Sequence, residues 1–181
     1  MNRTLGTGGR ELEHQILEAL QERISAFGDD SEIRAEETAD GGIEILTAWF
    51  DRFGEHKDAV MGEFLFRDNP DGGPGGRYFC SVLTLASDMP IENIPDLSLA
   101  LSVINFYIET GCFALNKPAD LLVYRNTRTF SGDVSEEALR AECITEMEQA
   151  YETAAKYSTV VLALAEGSLM LEEFMALLAT E

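Results

Sequence analysis

The order of the predicted elements is the feature that most restricts the fold of this chain. Hydrophobic periodicity predicts an amphipathic helix that ends at Gly28, four short strands, a second helix, two more strands and a long acidic helix starting near Asp133. The predicted strands cover residues 33–38, 43–50, 59–67, 77–85, 112–115 and 121–129. Consecutive strands with short polar connections pair as antiparallel hairpins. We therefore predict an α+β fold with an antiparallel sheet of about six strands packed against helices, in the order α-ββββ-α-ββ-α(α).

The chain has the length and composition of one globular domain. Its 181 residues are 45% hydrophobic, which is sufficient for a sizeable core. We predict a flexible N-terminus over residues 1–9, a single α+β domain over 10–166, and a short C-terminal helix within 167–181. The last boundary is placed at Gly167-Ser168, where the periodicity of the long helix is interrupted.

The charge balance restricts the partners. The chain carries 33 acidic and 13 basic residues, for a formal net charge of -20. Nucleic acids and anionic membranes repel such a surface, because binding to them requires cationic side chains. The acidity favours basic protein or peptide partners, although it also serves solubility alone.

The expected location is the cytoplasm. The first 15 residues contain no apolar segment of secretory length, and charges interrupt every long apolar stretch before 18 residues. The three cysteines are Cys80, Cys112 and Cys143; they form no CxxC pair and lie in apolar stretches. We therefore expect free thiols in a reducing compartment and no disulfide.

No pattern of residues predicts catalysis, a cofactor or a bound metal ion. The two histidines lack ligand spacing, and cysteines on apolar faces have raised rather than lowered thiol pKa values. Asp68, Asn69 and Asp71 suggest a calcium loop, but they do not follow the alternating spacing of such loops, and no closing glutamate follows. The acidic run of the long helix is typical of a solvated face. We expect a protein that is not an enzyme.

Aromatic side chains on the predicted strands suggest a binding surface. Trp49, Phe64 and Phe66 lie on strands that are apolar on both faces, so a second copy or another protein would have to cover one face. Glu146 and Glu152, on the acidic face of the long helix, would steer a basic segment towards these rings. The alternative is that the three aromatic residues belong to the monomer core.

Residues 103–132 carry a resemblance to a known family. They read VINFYIETGCFALNKPADLLVYRNTRTFSG, in which a helix ends in an asparagine-bearing turn before G-x-F-x-L and a strand L-x-x-Y-R-x-T. This segment, with the element order over about residues 10–165, resembles the YbjN-type family and the class I type III secretion chaperone fold. The resemblance implies a small, acidic, cytosolic homodimer that binds extended protein segments along helix and sheet surfaces. It implies no catalytic residues.

The leading functional hypothesis is a non-enzymatic protein-binding module, chaperone-like or regulatory, that forms a homodimer. One alternative is a small-ligand sensor with a pocket between the sheet and the helix at 97–110. Another is an enzyme with a site of scattered carboxylates, with or without a metal ion.

Overall fold

The computed structural model describes residues 7–38, 41–69, 71 and 75–178. The helices are α1 Thr7–Phe27, α2 Ile94–Tyr107, α3 Glu136–Glu166 and α4 Leu171–Leu178. The strands are β1 Asp30–Thr38, β2 Gly41–Phe53, β3 Asp58–Asp68, β4 Arg77–Ser87, β5 Cys112–Asn116 and β6 Leu121–Phe130. The predicted α+β fold class, the six strands and the order of the elements are confirmed.

The strands form one six-stranded sheet with the spatial order β1-β2-β3-β4-β6-β5. β1 pairs antiparallel with β2, from Asp30 opposite Trp49 to Thr38 opposite Gly41. β5 pairs antiparallel with β6, with Phe113 opposite Tyr124. The last two strands therefore join the sheet in reverse order, which leaves β1 and the five-residue β5 as its edges.

The chain divides into two compact units that are both discontinuous in sequence. The first contains the chain up to Phe50, with Gly62–Ser81 and Thr127–Gln149. The second contains Asp51–Met61, Val82–Asn126 and the chain from Ala150 onward. The predicted single domain over 10–166 is not tested by this division and stays a prediction.

Each unit contains its own group of buried side chains. In the first unit, Phe79 contacts both Phe64 and Phe66, with ring centroids 6.5 and 5.2 Å apart. In the second unit, Phe113 contacts Tyr124 at 5.2 Å and Tyr157 of α3 at 6.3 Å. These stacked, tilted and edge-to-face contacts add to the stabilisation that burial of the rings provides.

The helix ends differ in detail from the prediction. α1 begins at Thr7, so residues 7–9 are helical, while residues 1–6 lie outside the described part of the chain. Adding a residue to an existing helix gains a backbone hydrogen bond, which explains why the helix continues into a weak Thr-Gly-Gly sequence. At α3, the Ser135 hydroxyl accepts the Ala138 N–H at 3.2 Å, whereas Asp133 binds the Ser131 hydroxyl. Ser135 is therefore the N-cap of α3.

Candidate protein-binding surfaces

The predicted aromatic site residues fall into two groups. Phe64 and Phe66 are 0% and 5% exposed, so their rings lie in the core and are inaccessible in this conformation. For these two residues the alternative interpretation from the sequence is the right one: they are part of the monomer core and not of a binding surface. Trp49 is 40% exposed on β2 and is the only one of the three that reaches the surface.

The two predicted acidic site residues lie in different environments. Glu146 is 8% exposed, and its Oε1 lies 3.7 Å from Nε of Arg128. Its carboxylate is therefore already engaged within the first unit, which makes it a poor group for steering a partner. Glu152 is exposed on α3 in the second unit. The structure thus does not combine Glu146, Phe64 and Phe66 into an accessible surface.

The outer side of β1 is an acidic sheet edge. Its nine residues include four acids and one arginine, and the outer side has no neighbouring strand among the described residues. The Arg34 guanidinium is already paired, with Glu63 at 2.8 Å and Glu36 at 3.4 Å. At the start of the strand, Gln21 of α1 donates a hydrogen bond to the Ser31 carbonyl at 2.9 Å. Alternate backbone groups of an edge strand point away from the sheet, ready to pair with another strand.

The opposite edge, β5, is closed by a side chain of α2. Asn105 accepts the Phe113 N–H through Oδ1 at 2.8 Å and donates from Nδ2 to the Phe113 carbonyl at 2.9 Å. An amide that makes this pair of bonds takes the place of a neighbouring strand at that residue. Next to it, Gly111 has a φ of 71°, and a Cβ there would collide with the Tyr124 hydroxyl, which binds the Thr110 carbonyl. The two edges of the sheet therefore differ: Asn105 binds both backbone groups of Phe113 in β5, whereas Gln21 binds one carbonyl at the start of β1.

An exposed apolar stripe follows α2. Leu99, Phe106 and Tyr107 are 54%, 83% and 61% exposed, and Val103 lies between them. From Leu97 to Ile108 the sequence carries no charged residue. We call Leu99, Val103, Phe106 and Tyr107 the α2 stripe. Sequence periodicity did not separate it from the buried side of the helix, Leu97, Ala100, Leu101 and Ile104, because α2 is apolar around most of its circumference.

A cleft of about 500 Å³ lies in the second unit, beside the start of α2. It is lined by Met89, Ile91, Ile94, Pro95, Leu115, Asn116, Lys117, Asp120 and Leu121. The predicted alternative of a pocket between the sheet and the helix at 97–110 corresponds to this region only in part, because the lining residues of α2 come from its first turn.

Two titratable side chains of the first unit have raised pKa values because they are buried. Burial raises the pKa of Glu13 above its ordinary value of 4.5, although Nε of the buried Arg77 donates a hydrogen bond to this carboxylate. Burial also raises the pKa of the Cys143 thiol, and the carboxylates of Glu146 and Glu142 add to the effect. A thiol with a raised pKa is a weak nucleophile at neutral pH.

No group of three or more His, Cys, Asp or Glu side chains within residues 7–38, 41–69, 71 and 75–178 is arranged to hold a metal ion. Asn69 Oδ1 accepts the Asp71 N–H at 3.1 Å, which is the geometry of an Asx turn. The rest of that predicted loop, residues 70 and 72–74, lies outside the described part of the chain.

No family model matches the sequence, and no curated protein matches it either. Among the helices in the described part of the chain, none is long and apolar enough to cross a membrane.

Proposed function

We propose that this protein is a non-enzymatic binding module that takes up an extended, basic segment of another protein by adding it as a strand along β1. The observation that carries the proposal is the difference between the two sheet edges. Asn105 binds both backbone groups of Phe113 in the five-residue β5. The nine residues of β1 have no strand on their outer side in the described part of the chain, and Gln21 binds the Ser31 carbonyl only at the start of the strand. Strand addition to an open edge is a common mode of peptide recognition.

The charge of β1 supports a basic partner and opposes a second copy of the same strand. Asp30, Glu32, Glu36 and Glu37 outnumber Arg34, which is itself neutralised by Glu36 and Glu63. Pairing β1 with another β1 would place two acidic rows side by side, and like charges on facing strands are destabilising. A strand with Lys or Arg at alternate positions places opposite charges there.

Backbone hydrogen bonds and charges contribute differently to this binding. Each backbone hydrogen bond contributes about 0.5–1.5 kcal/mol net, whereas an exposed ion pair contributes about 0–1 kcal/mol. We therefore expect strand pairing to give most of the affinity. The acidic residues accelerate association and select against acidic segments.

A designed peptide tests the proposal without knowledge of the natural partner. The probe is an acetylated and amidated nonapeptide of alternating Lys and Val, titrated into ¹⁵N-labelled protein and followed by NMR. We expect saturable shifts of the amide signals of β1. One control peptide replaces Lys with Glu. Two further control peptides keep the lysines but carry N-methyl groups, one on its odd-numbered residues and the other on its even-numbered residues. Only alternate N–H groups of an added strand face β1, so one of these two peptides cannot donate hydrogen bonds to β1.

The expected result is that binding requires both the lysines and the peptide N–H groups. Glu32→Gln combined with Glu36→Gln should weaken binding, whereas Glu137→Gln combined with Glu148→Gln removes the same charge elsewhere in the first unit and should change it less. The proposal fails if both N-methylated peptides bind as well as the parent, since charge alone would then explain the attraction. It fails equally if the β1 signals do not move.

The same module is proposed to act as a homodimer through the α2 stripe. The dimer was expected from aromatic strand residues, but Phe64 and Phe66 are buried, and exposed apolar side chains lie on α2 instead. Leu99 lies three residues before Ser102, and Phe106 lies three residues after Val103, so the two are symmetric about the Ser102-Val103 pair. Two antiparallel copies of α2 would therefore place Leu99 of each against Phe106 of the other, with small residues at the centre. An uncharged stripe suits self-association in a chain of net charge -20, because no like charges meet at its centre.

A further inference from the structure

The cleft beside the start of α2 combines an apolar floor with two oppositely charged groups at its rim. Met89 is buried and Leu115 and Leu121 are half-buried, so they form the floor. Lys117 and Asp120 lie on the rim, three residues apart across a 3-10 turn. A volume of about 500 Å³ lies within the range of ligand sites in proteins, which are mostly apolar with a few polar groups.

Hydrogen bonds connect the segments around the cleft to neighbouring parts of the second unit. The Asp88 N–H donates to the Asp120 carbonyl at 3.3 Å, which joins the segment after β4 to the turn that carries Lys117. On the other side, Asn93 donates from Nδ2 to the Ala165 carbonyl at 3.0 Å. Asp88 and Asp120 both have left-handed backbones, with φ values of 54° and 51°. A site that exists before the ligand arrives loses less conformational entropy on binding.

The two rim charges have no ion-pair partner in the described part of the chain. Lys117 is also the only basic residue in the sequence between Arg77 and Arg125, so no other cationic side chain of that segment could bind the negative group of a ligand. The protein's charge of -20 opposes a ligand that is a net anion. A ligand that is a net cation would leave Lys117 facing a like charge. A neutral molecule with one positive and one negative group, joined to an apolar body, complements the cleft.

From this combination we infer that the cleft binds a free amino acid with an aliphatic side chain. Its carboxylate faces Lys117, its ammonium group faces the Asp120 carboxylate, and its side chain lies on Met89, Leu115 and Leu121. This site is separate from β1, and it does not depend on the proposed binding of a protein segment.

Isothermal titration calorimetry with the full-length protein tests the inference. L-Leucine, L-isoleucine and L-methionine are the probes, with Kd values expected between about 0.01 and 1 mM for ligands of this size. Three controls each remove one feature: N-acetyl-leucine lacks the ammonium group, leucinamide lacks the carboxylate, and glycine lacks the apolar body. Each control should bind at least about tenfold more weakly than leucine, because each loses one charge-assisted contact or the buried side chain.

Matched variants place the ligand in this cleft. Lys117→Gln and Asp120→Asn should each weaken leucine binding by about five- to tenfold. The effect is smaller than that of losing a fully buried charge-assisted hydrogen bond, because solvent reaches the rim. Lys156→Gln removes a lysine outside the cleft, and Asp51→Asn changes an exposed aspartate outside the cleft, so both should retain the affinity. Asparagine tolerates the left-handed backbone of residue 120, which keeps Asp120→Asn folded.

Three results would overturn the inference. The first is that none of the three amino acids shows saturable binding. The second is that N-acetyl-leucine or leucinamide binds as tightly as leucine. The third is that Lys117→Gln and Asp120→Asn bind leucine as well as their control variants do. None of these results bears on the β1 proposal, whose peptide titration is independent.

Discussion

The Asn105 side chain and the Phe113 backbone form two reciprocal hydrogen bonds, from the Phe113 N–H to Oδ1 and from Nδ2 to the Phe113 carbonyl. A residue of α2 thereby closes one edge of the sheet. The arrangement protects β5 from pairing with another chain, as edge strands in natural proteins generally require. It also connects the position of α2 to the end of the sheet, within a single compact unit.

Asn105→Ala is expected to lower the free energy of unfolding by about 1–3 kcal/mol, because a half-buried N–H and C=O lose their partners. Urea denaturation followed by circular dichroism measures the change. Asn105→Asp keeps an acceptor for the Phe113 N–H but, when ionised, cannot donate to the carbonyl, so it should also be less stable than the wild type at neutral pH. Equal stability of Asn105→Ala and the wild-type protein would show that water satisfies these groups equally well.

The α2 stripe predicts a dimer that depends on single side chains. Light scattering should give a mass near twice the 20.0 kDa of the chain at micromolar concentrations. Phe106→Glu should shift the equilibrium to the monomer, because it places a charge against the apolar Leu99 side chain of the second copy in the proposed interface. Phe27→Glu is the matched control, since Phe27 is also an exposed ring, 57% accessible, and lies in the other unit. A wild-type mass near 20 kDa, or a dimer that survives Phe106→Glu unchanged, would contradict the interface.

The three thiols should react at very different rates. Cys112 is exposed, whereas Cys80 and Cys143 are buried and the pKa of Cys143 is raised by burial. Under native conditions a chromogenic disulfide reagent should modify one thiol quickly, and Cys112→Ser should remove that fast phase. The two others should react only after addition of denaturant. Fast modification of two or three thiols would indicate that the buried cysteines become exposed by frequent opening of the core.

Glu13 should give a characteristic pH dependence of stability. Burial raises its pKa in the folded protein above 4.5, so the folded state holds this proton at pH values where the unfolded chain has released it. The contribution of Glu13 to the free energy of unfolding is therefore largest below pH 4.5 and falls as the pH rises through the folded-state pKa. We therefore expect the free energy of unfolding of the wild type, minus that of Glu13→Gln, to decrease from acidic to neutral pH. Urea denaturation at a series of pH values measures this difference.

The measurement of the Glu13 effect requires a control for the large overall charge. Glu11→Gln removes an exposed carboxylate of the same helix. Its difference from the wild type in free energy of unfolding measures the effect of losing one negative charge. Moderate salt reduces the contribution of the charge of -20 to both differences. A difference for Glu13→Gln that stays constant or increases with pH would contradict the raised pKa.

The sequence by itself determined the elements and the local pairing of neighbouring strands. Alternating apolar residues, turn residues and helical periodicity depend on positions a few residues apart, so they predicted all six strands and the hairpins β1-β2 and β5-β6. The strand ends differ from the prediction: β2 continues to Phe53 rather than ending at residue 50, because charged residues are tolerated where a strand reaches the surface.

Only the tertiary structure decided which apolar residues are covered. Phe64 and Leu99 look equally apolar in the sequence, yet the ring of Phe64 is buried and Leu99 is 54% exposed. Burial depends on contacts between segments far apart in the chain, and local pattern carries no information about them. The same reason applies to Asn105, whose hydrogen bonds arise only once α2 lies beside β5, and to the insertion of β6 between β4 and β5. The sequence thus determined which elements form, while long-range packing decided which of their surfaces remain open to a partner.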